Sequence, residues 1–228
     1  IPCLTALLPI ASSGTLVAHY PLDTDALDAS GNGFDGSVVG GTVNFGQAGA
    51  NGNTGSSAAF PDQGRIDVPF NSALNPASYT VTLWANASST NGFASPITSR
   101  DDTPNSVHGY LLYNDNGGNW NNWTGSGGGP GSWDQLPGGA VSTDTWTHLA
   151  LSYDAATNTK SFYVDGSLAG SKNTGLLYSP NGTVQSEDLH IGAGADSGGA
   201  FFFSGNIDDV SIWNCLLYTS PSPRDLRL

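Results

Sequence analysis

Methionine is absent from the 228 residues, and cysteine occurs only as Cys3 and Cys215, near the two ends. No cysteine lies between them, so a disulfide framework is not available and stability has to come from packing, with or without a metal ion. Basic residues are scarce: 6 Lys and Arg stand against 19 Asp and Glu, for a net charge of −13. Such a surface repels phosphate backbones, which argues against nucleic acid as a partner and against attachment to anionic membranes. No apolar run approaches the length that spans a bilayer, so membrane insertion is not expected. The histidines (His19, His108, His148, His190) lack the paired spacing of a zinc site. Phosphate-cradling loops and a G-x-S-x-G elbow are missing too. Helical periodicity of useful length is found nowhere.

What the chain has is alternation and turns. Its 31 glycines, set among Asn, Ser and Thr, separate short apolar runs with a period of two, which is the signal of strands with two distinct faces. Strands are predicted at 15–22, 37–45, 58–60, 65–68, 79–87, 97–100, 109–114, 188–193 and 205–213. Two or three adjacent antiparallel strands are predicted in Thr145–Ser171, where Asp165-Gly166 makes a tight hairpin turn. Short strands at this spacing, with no internal repeat, suit an all-β, two-sheet antiparallel sandwich. Residues 1–13, an apolar run followed by Ala11-Ser12-Ser13, read as a truncated secretory signal. That leaves one domain over 14–214.

Three segments carry a resemblance. WTHLALSYD…FYVDGSLAGS (146–171), HYPLDTDALDASGNGFDG (19–36) and FSGNIDDVSIWN (203–214) resemble, in the expected order, laminin-G-like domains of the concanavalin A-like lectin/glucanase superfamily. The resemblance implies a jelly-roll sandwich, secreted or at the cell surface, and a place in a larger bacterial exported protein. Residues 215–228, beginning CLLYTSPSPRD, instead resemble the in-frame translation of a sequencing adapter from metagenomic reads and are set aside.

Asp23, Asp25 and Asp28 cluster in the first loop with Asn32 nearby, and Asp208-Asp209 open the last strand. If first and last strands are neighbours, as in a jelly-roll, hard oxygen ligands converge, which is what Ca²⁺ requires. The resemblance adds that related domains hold a structural calcium between these two segments. The expected ligands are therefore Asp23, Asp28, Asn32, Asp208 and Asp209, with Asp23 and Asp208 foremost; the competing reading is a set of solvated turn aspartates.

Catalysis finds little support. The glucanases of the superfamily present two glutamates in an E-x-D-x-x-E pattern, and this chain has one glutamate, Glu187. His108, Tyr110 and Arg100 come nearest to a lyase-like group. The better expectation is a binding surface in Tyr110–Gln135, where Trp120, Trp123 and Trp133 sit among Asn114, Asp115 and several glycines beside Tyr110. Aromatic faces stack on sugar C–H faces, and Asn and Asp bond hydroxyls. Trp120 is read as exposed and Trp123 and Trp133 as structural, while Trp84, Trp146 and Trp213 are read as core. The function expected is non-catalytic recognition of an extracellular glycan, against a protein-adhesive or spacer module as the alternative and a polysaccharide-degrading enzyme as the third.

Overall fold

The computed structural model describes residues 14–102, 105–173, 175–194 and 200–216; the 1–13 segment and nearly all of 215–228 lie outside them. Fifteen strands and one 3-10 turn (Ser72–Leu74) make up the regular structure of this part. The first sheet runs, edge to edge, β13 (Ser167–Asn173), β12 (Thr159–Val164), β11 (Thr147–Asp154), β6 (Tyr79–Ala87), β15 (Gly205–Trp213), β4 (Ser56–Phe60) and β3 (Asn44–Ala48). Strand β1 (Leu16–Tyr20) also joins it, pairing antiparallel with β15. The second sheet runs β10 (Asp134–Ala140), β9 (Asn119–Thr124), β8 (His108–Asn114), β7 (Ala94–Asp101), β14 (Leu189–Ile191), β5 (Gly64–Val68) and β2 (Ser37–Gly40). Each pairing of these strands is antiparallel, and the two sheets form the expected sandwich.

Alternation places the core. In β6, Tyr79, Val81, Leu83 and Ala85 point between the sheets, as do Leu149, Leu151 and Tyr153 of β11; all belong to one apolar cluster with Ile66, Ile97, Tyr110, Leu112 and Ile191 of the second sheet. Each fully buried aliphatic or aromatic side chain here contributes roughly 1.5–3 kcal/mol. Trp84 has the opposite parity. It lies on the outer face of the first sheet, half-buried, with its ring 5.1 Å from that of His148, so the expectation of a core position is corrected.

The one strand expected over 37–45 is two strands in different sheets. Gly40, at φ +80°, breaks the extended run, and the chain crosses from β2 in the second sheet to β3 in the first. The expected neighbourhood of first and last strands is present: Leu16 pairs with Trp213 and Tyr20 with Val210. In β15 the register shifts between Asp208 and Ser211, and Asp209 adopts φ +48°, a bulge that redirects the carboxylates of this strand.

Candidate functional site

The outer face of the second sheet gathers the polar and aromatic groups. In β8 the inward residues are Tyr110, Leu112 and Asn114, so Leu111 and Tyr113 face outward; in β9 Asn121 and Trp123 share that outer face, because Leu111 pairs with Trp123 and Tyr113 with Asn121. Arg100, at an outward position of β7, completes it. The rings form one connected wall. Tyr113 lies 5.1 Å from Trp123 and 5.7 Å from Phe201, Phe93 packs 5.1 Å from Tyr113 and 5.7 Å from Trp123, and Trp133 lies 6.4 Å from Trp123. Most contacts are edge-to-face, worth about 0.5–1.5 kcal/mol per pair beyond burial. The Arg100 guanidinium stands 5.5 Å from the Trp133 ring centre and 5.9 Å from that of Phe201. It donates to the Tyr113 hydroxyl (2.8 Å) and the Gly194 carbonyl (2.9 Å) and is ion-paired with Asp102. Trp123 and Trp133 keep part of their surface open to solvent. Rings held this way lose little freedom when a ligand stacks on them.

The sequence-predicted binding residues divide by face. Trp123 and Trp133 belong to this wall. Trp120 does not: it is 1 % exposed, inward, and a member of the core cluster, which reverses the expected assignment of the tryptophans. The reason is register, since pairing with Asn114 puts Trp120 on the inner face and Trp123, three residues on, falls on the other. Tyr110 and Asn114 are likewise inward and buried, the Tyr110 hydroxyl donating to the Leu74 carbonyl at 3.0 Å and the Asn114 amide to the Ser89 carbonyl at 2.8 Å. Asp115 sits in the β8–β9 turn, accepting from the backbone of Gly117 and Asn119, with the Asn121 amide 3.4 Å away. Phe93, Tyr113, Phe201 and Asn121 were not singled out from sequence. Tyr113 could have been found from the alternation of 110–114 alone, whereas Phe93 and Phe201 come from loops that no periodicity reports. The lyase-like trio does not converge: Arg100 faces outward, while Tyr110 is inward and His108 is buried between the hydroxyls of Ser106 (2.8 Å) and Ser179 (2.7 Å).

The five expected calcium ligands also separate. Asp28 is consumed by its own loop: its two oxygens accept from the His19, Ser30 and Phe34 backbone and from the Ser30 hydroxyl. Although burial alone would raise its pKa, these donors outweigh it and hold the carboxyl below the usual range. Asn32 spends its amide on the Leu16 and Val17 carbonyls, and Asp209 pairs with His19 at 3.1 Å. Asp25 caps the turn at Leu27. Asp23 and Asp208 differ. Asp208 is fully buried; its Oδ2 accepts from the Ala50 backbone at 2.8 Å and its Oδ1 meets no donor. Burial, with the charges of Asp209 and Asp23 adding to it, pushes its pKa up to about 6. Asp23 accepts from the Ser56 backbone, and the space beside it exists because position 55 is glycine: a Cβ there would lie 2.3 Å from an Asp23 oxygen. Two carboxylates that repel, one with an orphaned oxygen, fit a hard cation by their chemistry. Among the described residues no group of three or more His, Cys, Asp or Glu gathers, so other ligands of such an ion would be carbonyls and water.

Two antiparallel sheets packed face to face make the sandwich of the concanavalin A-like fold. The chain belongs to the concanavalin A-like lectin/glucanases superfamily, its Laminin_G_3 family model matching residues 51–220. No curated protein matches the sequence. Among solved structures, the chain is similar to domain 4 of AbnA, an extracellular arabinanase of Geobacillus stearothermophilus, in complex with arabinotriose: TM-score 0.64, 22% identity, covering 93% of this chain and 97% of that one. The binding domain of Paraclostridial Mosquitocidal Protein 1 is similar at TM-score 0.65 and 14% identity; the match covers 89% of this chain and 49% of that one, so this chain spans about half of it. The Ruminococcus gnavus sialidase domain CBM40 bound to sialyllactose follows at TM-score 0.59 and 15% identity, covering 75% and 93%.

Proposed function

We propose that this chain is a non-catalytic, extracellular carbohydrate-binding module whose ligand lies against the outer face of the second sheet. One observation carries the reading: Trp123 and Trp133 are fixed in a ring wall yet part-exposed, with Asn121 on the same face of β9 and Asp115 within 3.4 Å of the Asn121 amide toward the β8–β9 turn. Flat aromatic surface with adjacent hydrogen-bonding groups is what a sugar requires. The ligands bound to two similar domains, arabinotriose and sialyllactose, lend support at the level of ligand class. The test is retention of the purified chain on a panel of soluble and insoluble polysaccharides. Trp123→Ala is expected to weaken retention about tenfold or more, equivalent to about 1.4 kcal/mol, with the fold kept as judged by circular dichroism. If the unmodified chain is retained on no glycan, the reading fails and the protein-adhesive or spacer module takes its place.

The module also holds a structural calcium between Asp23 and Asp208 in this reading. The ion would supply positive charge where the two carboxylates repel, joining the opening loop to the closing strand. Asp28, Asn32 and Asp209 keep their loop and ion-pair roles. The expected outcome is a melting temperature that rises with added calcium and falls with EDTA, a response lost in Asp208→Asn. Equal melting temperatures in calcium and in EDTA would remove the metal.

A further inference from the structure

We infer that the outer face of the second sheet carries two sugar subsites separated by a ridge at Phe201-Phe202, and that the module takes an internal stretch of an uncharged polysaccharide instead of one terminal sugar. This rests on the glycan reading above and names its ligand more closely.

The ridge is built. Phe201 holds φ +52°, a backbone conformation that a bulky L residue adopts only when its surroundings enforce it. The enforcing bonds are visible: the Phe201 carbonyl accepts from Ser95 N–H at 2.9 Å, Phe202 forms a parallel bridge with Ser95, and Phe203 N–H donates to the Gly192 carbonyl at 2.9 Å. The segment therefore lies fixed against β7 and β14, the middle strands of the sheet.

Its two rings serve opposite sides. Phe201 joins the aromatic wall over β8 and β7, within 5.7 Å of Tyr113 and 6.1 Å of Phe93. Phe202 instead lines a separate open pocket of about 580 Å³ with Gly40, Gly41, Asp62, Gln63 and Arg65, over β5 and β2. That pocket has the composition of the first subsite on a smaller scale: one ring, exposed amide and carboxylate groups, and two glycines that leave backbone accessible. From Trp123 on β9 to Arg65 on β5 the sheet order spans four strand spacings, roughly 19 Å, longer than one sugar ring.

The charges select against acidic sugars. Both arginines on this face are already matched by carboxylates: Arg65 makes a two-bond pair with Asp67 (2.7 and 3.0 Å), and Arg100 is paired with Asp102. Asp67 is held further by His190 at 2.7 Å. Neither guanidinium is left to meet a sugar carboxylate, and the chain as a whole is acidic.

The test uses the full chain and calorimetric titration with neutral arabino- and cello-oligosaccharides from mono- to hexasaccharide, and with oligogalacturonates as the acidic probe. For a neutral series that binds, affinity is expected to rise about tenfold or more with length, and the acidic series to bind at least about tenfold more weakly. Phe202→Ala should abolish the gain with length while leaving the shortest bound ligand within about twofold. Trp123→Ala should weaken every length. Gln63→Ala, at an exposed turn, is expected to reduce the length gain in part, and it keeps the test decisive if Phe202→Ala fails to fold. Binding that is independent of length, an intact length gain in both pocket variants, or preference for the acidic series would overturn the two-subsite inference while leaving the glycan reading in place. No binding to any series or to the polysaccharide panel would overturn both.

Discussion

The inner and outer faces of the second sheet are built from the same residue types and do different things. Trp120 and Asn122 on the inner face are sealed between the sheets, and neither the Trp120 Nε1 nor either amide atom of Asn122 has a hydrogen-bond partner. Trp123 and Asn121, offset in the same strand, stand on the outer face, where Trp123 is part-exposed and Asn121 reaches Asp115. Residue type therefore says little about role in this strand; parity decides it. The inner face is where substitution should cost stability, and the outer face is where it should cost binding.

Trp120→Ala is the strongest way to break that contrast. Removing a fully buried indole should destabilise the fold by about 3–5 kcal/mol in urea unfolding. Next comes the interior ion pair at the same end of the sandwich. Lys160 has no exposed side chain and lies 3.3 Å from Asp134, whose backbone carbonyl and the Thr124 hydroxyl it also contacts; the partly exposed Lys172 bonds the same carboxylate. Asp134→Ala leaves Lys160 buried and uncompensated, with an expected loss of about 3 kcal/mol. Burial lowers the Lys160 pKa to about 8, partly opposed by Asp134. Since the unfolded chain would keep that proton up to about 10.4, the unfolded state binds more protons between those values and the fold gains stability as pH rises from 8 toward 10. Lys160→Met should lose this slope, as followed by thermal melts across that range. A smaller effect, of opposite sign, is expected at Asn122. Asn122→Leu removes two unpartnered polar atoms from the interior and should stabilise by about 1 kcal/mol in the same urea titration. Trp123→Ala, tested above for sugar binding, should destabilise less than Trp120→Ala, because its ring keeps part of its surface in solvent, although its contacts with Phe93, Tyr113 and Trp133 are lost.

Much of the fold was legible because alternation is a local property. Strands β6 and β15 occupy the predicted residues, and the hairpin at Asp165-Gly166 lies where the turn chemistry put it. The 37–45 segment misled because Gly40 sits inside a run of strand-forming residues, and only the pairing partners reveal that its halves enter different sheets. The site was legible in part. A cluster of tryptophans among asparagines marks the region, but a one-residue difference in register exchanges Trp120 with Trp123, and register is set by β8, outside the cluster. The carboxylates show a similar boundary. Asp23 and Asp208 are 185 positions apart and feel each other's charge because β1 lies against β15 and both accept from backbone of the 50–56 stretch, while Asp28 has local donors enough to be occupied where it stands.

The pairing of β1 with β15 has a mechanical side. Leu16 at the start of one strand lies opposite Trp213 at the end of the other, and beyond them Thr15 and Asn214 exchange two bonds of 2.9 and 3.2 Å. A pull applied at residues 14 and 216 would draw the two strands apart across their hydrogen bonds, which lie perpendicular to the strands. The bonds would then be loaded one after another, beginning with the Thr15–Asn214 clasp, like a zipper opened from its end. Under tension the domain should let go in small steps at low force, shedding β1 before the sandwich and its aromatic wall are disturbed.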